Sequence, residues 1–336
     1  MISAIFVSYL SARLARRAIA SLRADAPGAE VVVVENSGLD EEAALLEDAA
    51  DVLVRAPRNL GYAGGINAGV NAASGDLLLF SNPDVLFREG SIAALFAEAG
   101  PLVMTGPALF WDEGLLLALP PAEDPNPRAL LRRELAGTPR LFHRDVRRGL
   151  AALEDAERGL TREARGLSGA VLATRRDTFE RVGPFDEGFA LYYEENDWQR
   201  RLRALGGTLL RVGAAHVVHH YNQSAQKEPR AAEWFGASER FYFEKHFGEA
   251  GRVALARPRP EVALAEPPRE VLLLHPEGSL VAVSPLRSFH PTTLGRIPGG
   301  VFRLPPDVRL GAGETPLYAR LLHEQTLATL AEAVLR

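Results

Sequence analysis

Residues 52–84 read VLVRAPRNLGYAGGINAGVNAASGDLLLFSNPD. A short β-branched run at Val52–Val54 gives way to a glycine-rich turn. Helical spacing follows over roughly Ala63–Ala73, then an unbroken apolar run, Leu77–Phe80, stopped by Ser81-Asn82-Pro83-Asp84. Strand, helix and strand in succession form the unit of a parallel sheet covered by helices. The same alternation extends upstream. Ile2–Val7 reads as a strand, and Leu14, Ala15, Ala18, Ile19 and Leu22 form one apolar helix face. Val31–Val34 is too uniformly apolar to be half exposed, and Glu41–Ala50 reads as a helix. The expected fold class is α/β, a parallel sheet flanked by helices. Such sheets bind ligands outside the carboxyl ends of their strands. The loops after strands 1, 2 and 4 and the glycine-rich loop should therefore converge on one pocket.

Composition narrows the function. The 336 residues carry 38 Lys and Arg against 43 Asp and Glu, a net charge of −5, which gives no electrostatic basis for bulk nucleic-acid binding. With 47% hydrophobic residues the chain can fill a core. It has no cysteine, which excludes disulfides, thiolate zinc sites, iron–sulfur clusters and a cysteine nucleophile, so any metal sits on oxygen or histidine. The opening segment, MISAIFVSYLSARLARR, is basic after its apolar part, the reverse of a signal peptide. No run reaches the roughly 18 to 20 apolar residues of a transmembrane helix. A cytoplasmic location is expected.

Three regions are expected: a main domain over 1–256, a Pro-rich linker over 257–268 with four prolines, and a small β-rich accessory domain over 269–336. Within the first, residues 120–165 form an arginine-rich, partly helical insert. Between Arg128 and Arg148 stand seven arginines and two acids. They could form a solvated helix face, or draw in an anionic acceptor or the inner face of a membrane as a peripheral contact.

Several clusters could carry chemistry. The glycine-rich segment Arg58–Gly69 lets backbone approach a ligand, or packs a helix tightly, but is neither a dinucleotide fingerprint nor a P-loop. Asn82-Pro83-Asp84 is a good turn sequence, and at a strand's carboxyl end its carboxylate could hold Mg2+ or Mn2+ beside a diphosphate. In Tyr192-Tyr193-Glu194-Glu195-Asn196-Asp197-Trp198, helical spacing puts Glu194 and Asp197 on one face and turns Glu195 away. Helix capping accounts for Asp197. Two glutamates among three aromatics suit a sugar face with a proton acceptor beside it. His219 and His220 follow a strand and could complete an oxygen-rich metal shell; His216 is a weaker candidate.

Taken together, the blocks VSYLS (7–11), VVVVENSGLD (31–40), RNLGYAGGINAGVNAASGDLLLFSNPD (58–84), GLSGAVLATRRDTFERVGPFDEGFALYYEENDWQRRLRALG (166–206) and VVHHYNQS (217–224) resemble bacterial family 2 glycosyltransferases of the rhamnosyltransferase-like group. The resemblance covers residues 1–248 and implies a GT-A fold, a Rossmann-like mixed and mostly parallel sheet flanked by helices, with a nucleotide-diphosphate sugar across the carboxyl ends of the strands. It implies that Ser8 and Tyr9 line the base, that Glu35 bonds base or ribose, and that Asn59, Gly61 and Asn67 meet ribose and diphosphate. Asp84 matches the last acid of the group's metal motif, with Asn82 where others carry aspartate. His219 matches its late histidine, which can ligate the metal, with His220 the alternative by one residue. Ser168, Gly169 and Ala170 match the loop facing the donor sugar. Glu195, preceded by Glu194, falls where the catalytic base is normally aspartate.

The implied reaction is an inverting transfer from a dTDP- or UDP-sugar, with dTDP-rhamnose the first expectation, to a glycan or lipid-linked acceptor in cell-surface polysaccharide or glycolipid synthesis. Other readings are a nucleotidyltransferase, which would need a basic glycine-rich loop at the N-terminus, and a lapsed enzyme that only binds sugar nucleotide or glycan. The C-terminal module could bind glycan, form a homodimer or brace the main domain.

Overall fold

The computed structural model describes residues 1–133, 136–189, 191–220, 230–257, 274–275, 277–313 and 315–335. The Pro-rich linker, Arg257 apart, lies outside the described residues. In chain order the first part runs β1 (Ile2–Ser8), α1 (Ala12–Asp25), β2 (Glu30–Glu35), α2 (Asp40–Ala44), β3 (Val52–Arg55), α3 (Gly61–Ala72), β4 (Leu77–Ser81), β5 (Val85–Phe87), α4 (Ser91–Ala97) and β6 (Val103–Phe110). It continues with α5 (Pro127–Arg133), α6 (Pro139–Glu157), β7 (Thr161–Glu163), β8 (Val171–Arg175), α7 (Arg176–Val182), α8 (Glu194–Ala204), β9 (Thr208–His219) and α9 (Ala231–Leu255), the last kinked at Gly248.

Among the described residues the main sheet has nine strands, ordered β3-β2-β1-β4-β8-β6-β9-β5 with β7 on β9. The sheet is mixed α/β and mostly parallel, as expected: β3, β2, β1 and β4 run together, and β6 and β9 join them in direction beyond the antiparallel β8. Both faces of the sheet are buried. In β1 the alternating set Ala4 and Phe6 enters one apolar cluster with α1, while Ile5 and Val7 enter the other with α3 and Trp198. Burying the Ile5, Phe6 and Val7 side chains stabilises by about 1.5–3 kcal/mol each. The glycines of α3 serve this packing. A β-carbon on Gly69 would lie 2.4 Å from Ile5 Cγ2, so the helix can sit on β1 only where it has no side chain.

Some expected elements move. The strand expected to open at Gly166 begins at Val171, and 166–170 is a loop. The two strands expected over 209–212 and 217–220 are one, β9, which bulges where it pairs with Pro107 and Ala108 of β6.

The C-terminal part comprises β10 (Leu274–His275), β11 (Ser279–Ser284), β12 (Thr293–Ile297), β13 (Gly300–Val301), α10 (Pro306–Ala312), β14 (Leu317–His323) and β15 (Thr329–Leu335). Its antiparallel sheet is ordered β12-β11-β14-β15. Both faces are completed by the first part of the chain: Trp111 and Leu117 join Val281, Val283 and Leu321 on one, and Phe142 and Val146 join Leu280 and Phe289 on the other. Backbone bonds between Ala118 and Leu294, 2.8 and 2.9 Å, tie the two parts. In the insert, Arg132, Arg144 and Arg148 converge on Glu123; despite burial, they hold its carboxyl down to about 2. No helix among the described residues is long and apolar enough to cross a membrane.

Candidate active site

The parallel strands end together. Ser8 closes β1, buried, with its hydroxyl 3.2 Å from that of Ser11, and the half-buried Tyr9 follows. Glu35 closes β2. Its carboxylate accepts the N–H groups of Ser37 at 2.8 Å and Gly38 at 3.0 Å, so both oxygens serve the local turn. The neighbouring Asn36 joins this loop to the glycine-rich one: its amide donates to Asn59 Oδ1 and Gly61 O, both 3.1 Å, and accepts from Leu60 N at 2.9 Å. Asn59 is exposed and also accepts from Gly61 N. Asn67 stands elsewhere, bonded to Phe185 through both N–H and C=O and to Glu187.

The carboxyl end of β4 carries the acidic turn. Asn82 N–H donates to Ala170 O at 2.8 Å, which holds the turn to the 168–170 loop. Asp84 is buried. Pairing of β5 with β9 sets Val85 opposite His219, and this brings His219 Nε2 to 3.4 Å from Asp84 Oδ1. His220 instead lies 3.6 Å from Glu113, its imidazole disfavoured as a cation by burial, while its N–H donates to Asp84 O. His216 is structural, against Ala156 O and the Phe110 ring. Asp84 and His219 thus set a carboxylate oxygen beside an imidazole nitrogen, both donors of the kinds that divalent cations take. No group of three ligating side chains occurs among the described residues.

The carboxylate pair begins α8. Tyr192 and Tyr193 precede it with φ of 69° and 70°, left-handed values that cost about 1–2 kcal/mol per non-glycine residue. Opposing that cost, Tyr193 O–H donates to Glu239 at 2.8 Å and its ring packs 5.3 Å from Tyr242. Glu194 and Asp197 are both buried, while Glu195 is partly exposed, as helical spacing predicts. Burial, and then the charge of Glu195, pushes the Glu194 carboxyl well above the ordinary range; burial likewise raises Glu195, against hydrogen bonds from the helix start and Asn196. Asp197 behaves oppositely. Burial would raise its pKa, but His246 at 2.8 Å, Lys245 at 2.6 Å and Arg201 at 2.9 Å hold it well below the carboxylate range.

Two contacts position Glu195. Gln199 grips the backbone of Leu167 with bonds of 2.7 and 2.9 Å, which anchors the 166–170 loop to α8. Gly169 then lies against the Glu195 side chain. Tyr62 O–H donates to Gly169 O at 3.3 Å, and its pKa is pushed up by burial and then by Glu194, Glu195 and Asp84 together. The metal candidate and the carboxylate pair thus share one neighbourhood.

A cavity of about 490 Å3 opens beside Glu195, lined also by Ser168, Tyr192, Asn196, His219 and Leu286. Of the three aromatics expected to form a sugar wall, Tyr192 and Tyr193 line it. Trp198 does not: it stacks at 6.1 and 5.9 Å on Phe179 and Phe185 in the core. Phe235 and Trp111 take part instead. A larger cavity of about 900 Å3 lies in the arginine-rich insert and contains neither Glu195 nor Asp84.

The structure therefore gathers Asp84, His219, Asn82, Ser168, Gly169, Ala170, Glu194 and Glu195, and sets Ser8, Tyr9, Glu35, Asn59 and Gly61 at neighbouring strand ends. Sequence reasoning missed Asn36, Tyr62, Gln199, Glu239, Lys245 and His246. Asn36, Tyr62 and Gln199 lay inside sequence blocks already singled out, whereas Glu239, Lys245 and His246 did not.

Residues 3–102 match the family model described as Glycosyl transferase family 2. Over 201 residues the chain is 28% identical to N-acetylglucosaminyl-diphospho-decaprenol L-rhamnosyltransferase of Mycobacterium tuberculosis, a match covering 51% of this chain and 59% of that protein. Over 196 residues it is 26% identical to the low-salt glycan biosynthesis hexosyltransferase Agl10 of Haloferax volcanii, covering 56% and 57%. The chain thus spans less than two thirds of these relatives. Among solved structures, GalNAc-T7 with UDP, GalNAc and Mn2+ aligns with a TM-score of 0.49 at 17% identity, covering 78% of this chain and 52% of that one.

Proposed function

We propose that this chain, a rhamnosyltransferase-like protein with a family 2 glycosyltransferase domain, is an inverting transferase that moves a sugar from a nucleotide-diphosphate donor to an acceptor hydroxyl. The observation that carries the reading is the convergence of Glu195, Gly169, Tyr62 and Asp84 with His219 at the carboxyl ends of the strands. The donor would lie across the ends of β1, β2 and β4, with the loop held by Asn36 against its nucleotide.

Glu195, partly exposed to the cavity, accepts the proton of the acceptor hydroxyl. The oxygen forms a bond to the anomeric carbon as the bond from that carbon to the diphosphate oxygen breaks on the opposite face. The electron pair leaves with the nucleoside diphosphate, and configuration inverts. Burial raises the Glu195 carboxyl above the ordinary range and so makes it a stronger base, while the buried Glu194 beside it, pushed higher by burial and by the charge of Glu195, stays protonated as Glu195 ionises. Asp84 and His219 would hold Mg2+ or Mn2+, which when bound neutralises charge on the leaving diphosphate.

By analogy with the mycobacterial relative, the proposed donor is a dTDP-rhamnose type sugar nucleotide and the proposed acceptor a lipid-linked sugar. Peripheral contact with the inner face of a membrane would use the exposed Arg128, Arg140 and Arg147.

The test is thermal shift and slow donor hydrolysis with a panel of UDP-, dTDP- and GDP-sugars and Mn2+ or Mg2+, beside Asp84→Ala and Glu195→Gln. Stabilisation by one donor that is lost in Asp84→Ala, with hydrolysis lost in Glu195→Gln, supports the reading. Stabilisation with no turnover, even with lipid-linked acceptor extracts, would favour a binding protein whose catalysis has lapsed. No response to any sugar nucleotide would overturn both.

A further inference from the structure

We propose that the C-terminal sheet module forms the acceptor side of the catalytic cavity, and that Leu286 selects acceptors carrying an apolar group beside the attacking hydroxyl. The inference rests on the glycosyl-transfer reading above. One wall of the cavity consists of Ser168, Glu195, Asn196 and His219, and another of Val283, Pro285, Leu286 and the 291–293 segment. Ser8, Tyr9, Glu35, Asn59 and Asn82, at the strand ends where the nucleotide would lie, are absent from its lining. An inverting displacement needs the nucleophile opposite the leaving group. His219 marks the end of the cavity towards the leaving diphosphate, and the rest of the space, beside the base and away from the nucleotide loops, is therefore the acceptor's.

The wall has a fixed position. Leu294 pairs with Ala118 through two backbone hydrogen bonds, His290 pairs with Asp145, and Trp111 and Leu117 lie in the module's own core. A domain tethered only by a linker would give no such surface. The chemistry of the occupant follows from the lining. Trp111, Leu119, Tyr192 and Phe235 face the cavity along with Leu286, which is 48% exposed although it lies next to an enclosed apolar core. At about 490 Å3 the space suits one sugar and the start of an apolar aglycone. A glycoside whose anomeric substituent is a lipid fits it, and a free polar sugar leaves the apolar wall uncovered.

The experiment uses the full chain with octyl β-glucoside and glucose as probes, monitored by ligand-observed saturation-transfer NMR, with Leu286→Ala and Leu286→Trp. Leu286 is half exposed, so neither change disturbs the core. The expected result is binding of octyl glucoside in preference to glucose, weakened about fivefold or more in Leu286→Ala and lost in Leu286→Trp, with stabilisation by the sugar nucleotide unchanged in both. Equal octyl glucoside binding in all three proteins, or none in the wild type, would overturn the proposal. Because donor stabilisation is read separately, a wild type that ignores sugar nucleotides would refute the glycosyl-transfer reading and could not be mistaken for failure at Leu286.

Discussion

Gly169 and Glu195 are in direct contact: a β-carbon on Gly169 would stand 3.1 Å from Glu195 Cγ and 3.3 Å from its Cδ. The loop that carries Gly169 is fixed to the same helix as Glu195 by Gln199, so added volume at 169 must displace the glutamate side chain. Gly169→Ala should lower kcat by less than the roughly 100-fold that a one-ångström misplacement of a reacting group costs, because Glu195 need give only by a few tenths of an ångström. Donor stabilisation should persist. Steady-state kinetics beside a donor thermal shift separates the two, and an unchanged kcat would show that Gly169 does not set the position of Glu195.

The carboxylate pair makes a pH prediction. Glu195 must be ionised to act as a base, and the pair titrates above ordinary carboxylates. The acidic limb of kcat/KM should therefore fall above the usual glutamate value of about 4.3. Glu194→Gln puts a neutral group where Glu194 is still protonated as Glu195 ionises, so it should shift that limb little while removing the second ionisation of the pair. It should also change stability. A pKa raised on folding favours the folded state fully below the unfolded value, and that contribution is lost as pH rises through the folded value. Glu194→Gln should thus gain stability relative to the wild type at about pH 8 but not at about pH 4. Paired pH–rate and denaturation profiles check both statements.

Asp197 has the opposite sign. Its pKa is lowered on folding by His246, Lys245 and Arg201, so its contribution is present above the unfolded value of about 3.9 and lost as pH falls through the folded one. Asp197→Asn leaves Lys245 and Arg201 facing a neutral amide where a buried carboxylate stood. It should cost about 3–5 kcal/mol near neutral pH, with a smaller difference from the wild type in strong acid. Urea denaturation at several pH values would show this, and a cost that does not depend on pH would contradict it.

The parallel half of the sheet was legible because period-two burial on both faces leaves unbroken apolar runs such as Val31–Val34. The carboxylate pair was legible from helical spacing alone. The central strand β6 was not, since Gly106-Pro107 in its middle reads as a break. The proline is accommodated where the β6–β9 register shifts, between Pro107 and Ala108. Residues 231–255 gave no usable periodicity either, yet α9 supplies Glu239, Lys245 and His246 to the residues around Glu195. Support of this kind comes from contacts distant in sequence, which no local pattern records.

Asn67 tests how far a resemblance can be carried residue by residue. Its position in the glycine-rich block implied contact with ribose or diphosphate. In the structure its amide bonds Phe185 O and N, each at 3.0 Å, and Glu187 at 2.9 Å, all across the fold. Phe185 is itself buried against Phe80 and Trp198, so Asn67 fixes the loop that packs the core beneath α8. Asn67→Ala would leave the Phe185 backbone without its partner and should destabilise the chain by about 1–3 kcal/mol. The increment in melting temperature produced by the sugar nucleotide should be retained. Denaturation with and without donor measures both. Undiminished stability together with a lost donor response would place Asn67 at the nucleotide instead.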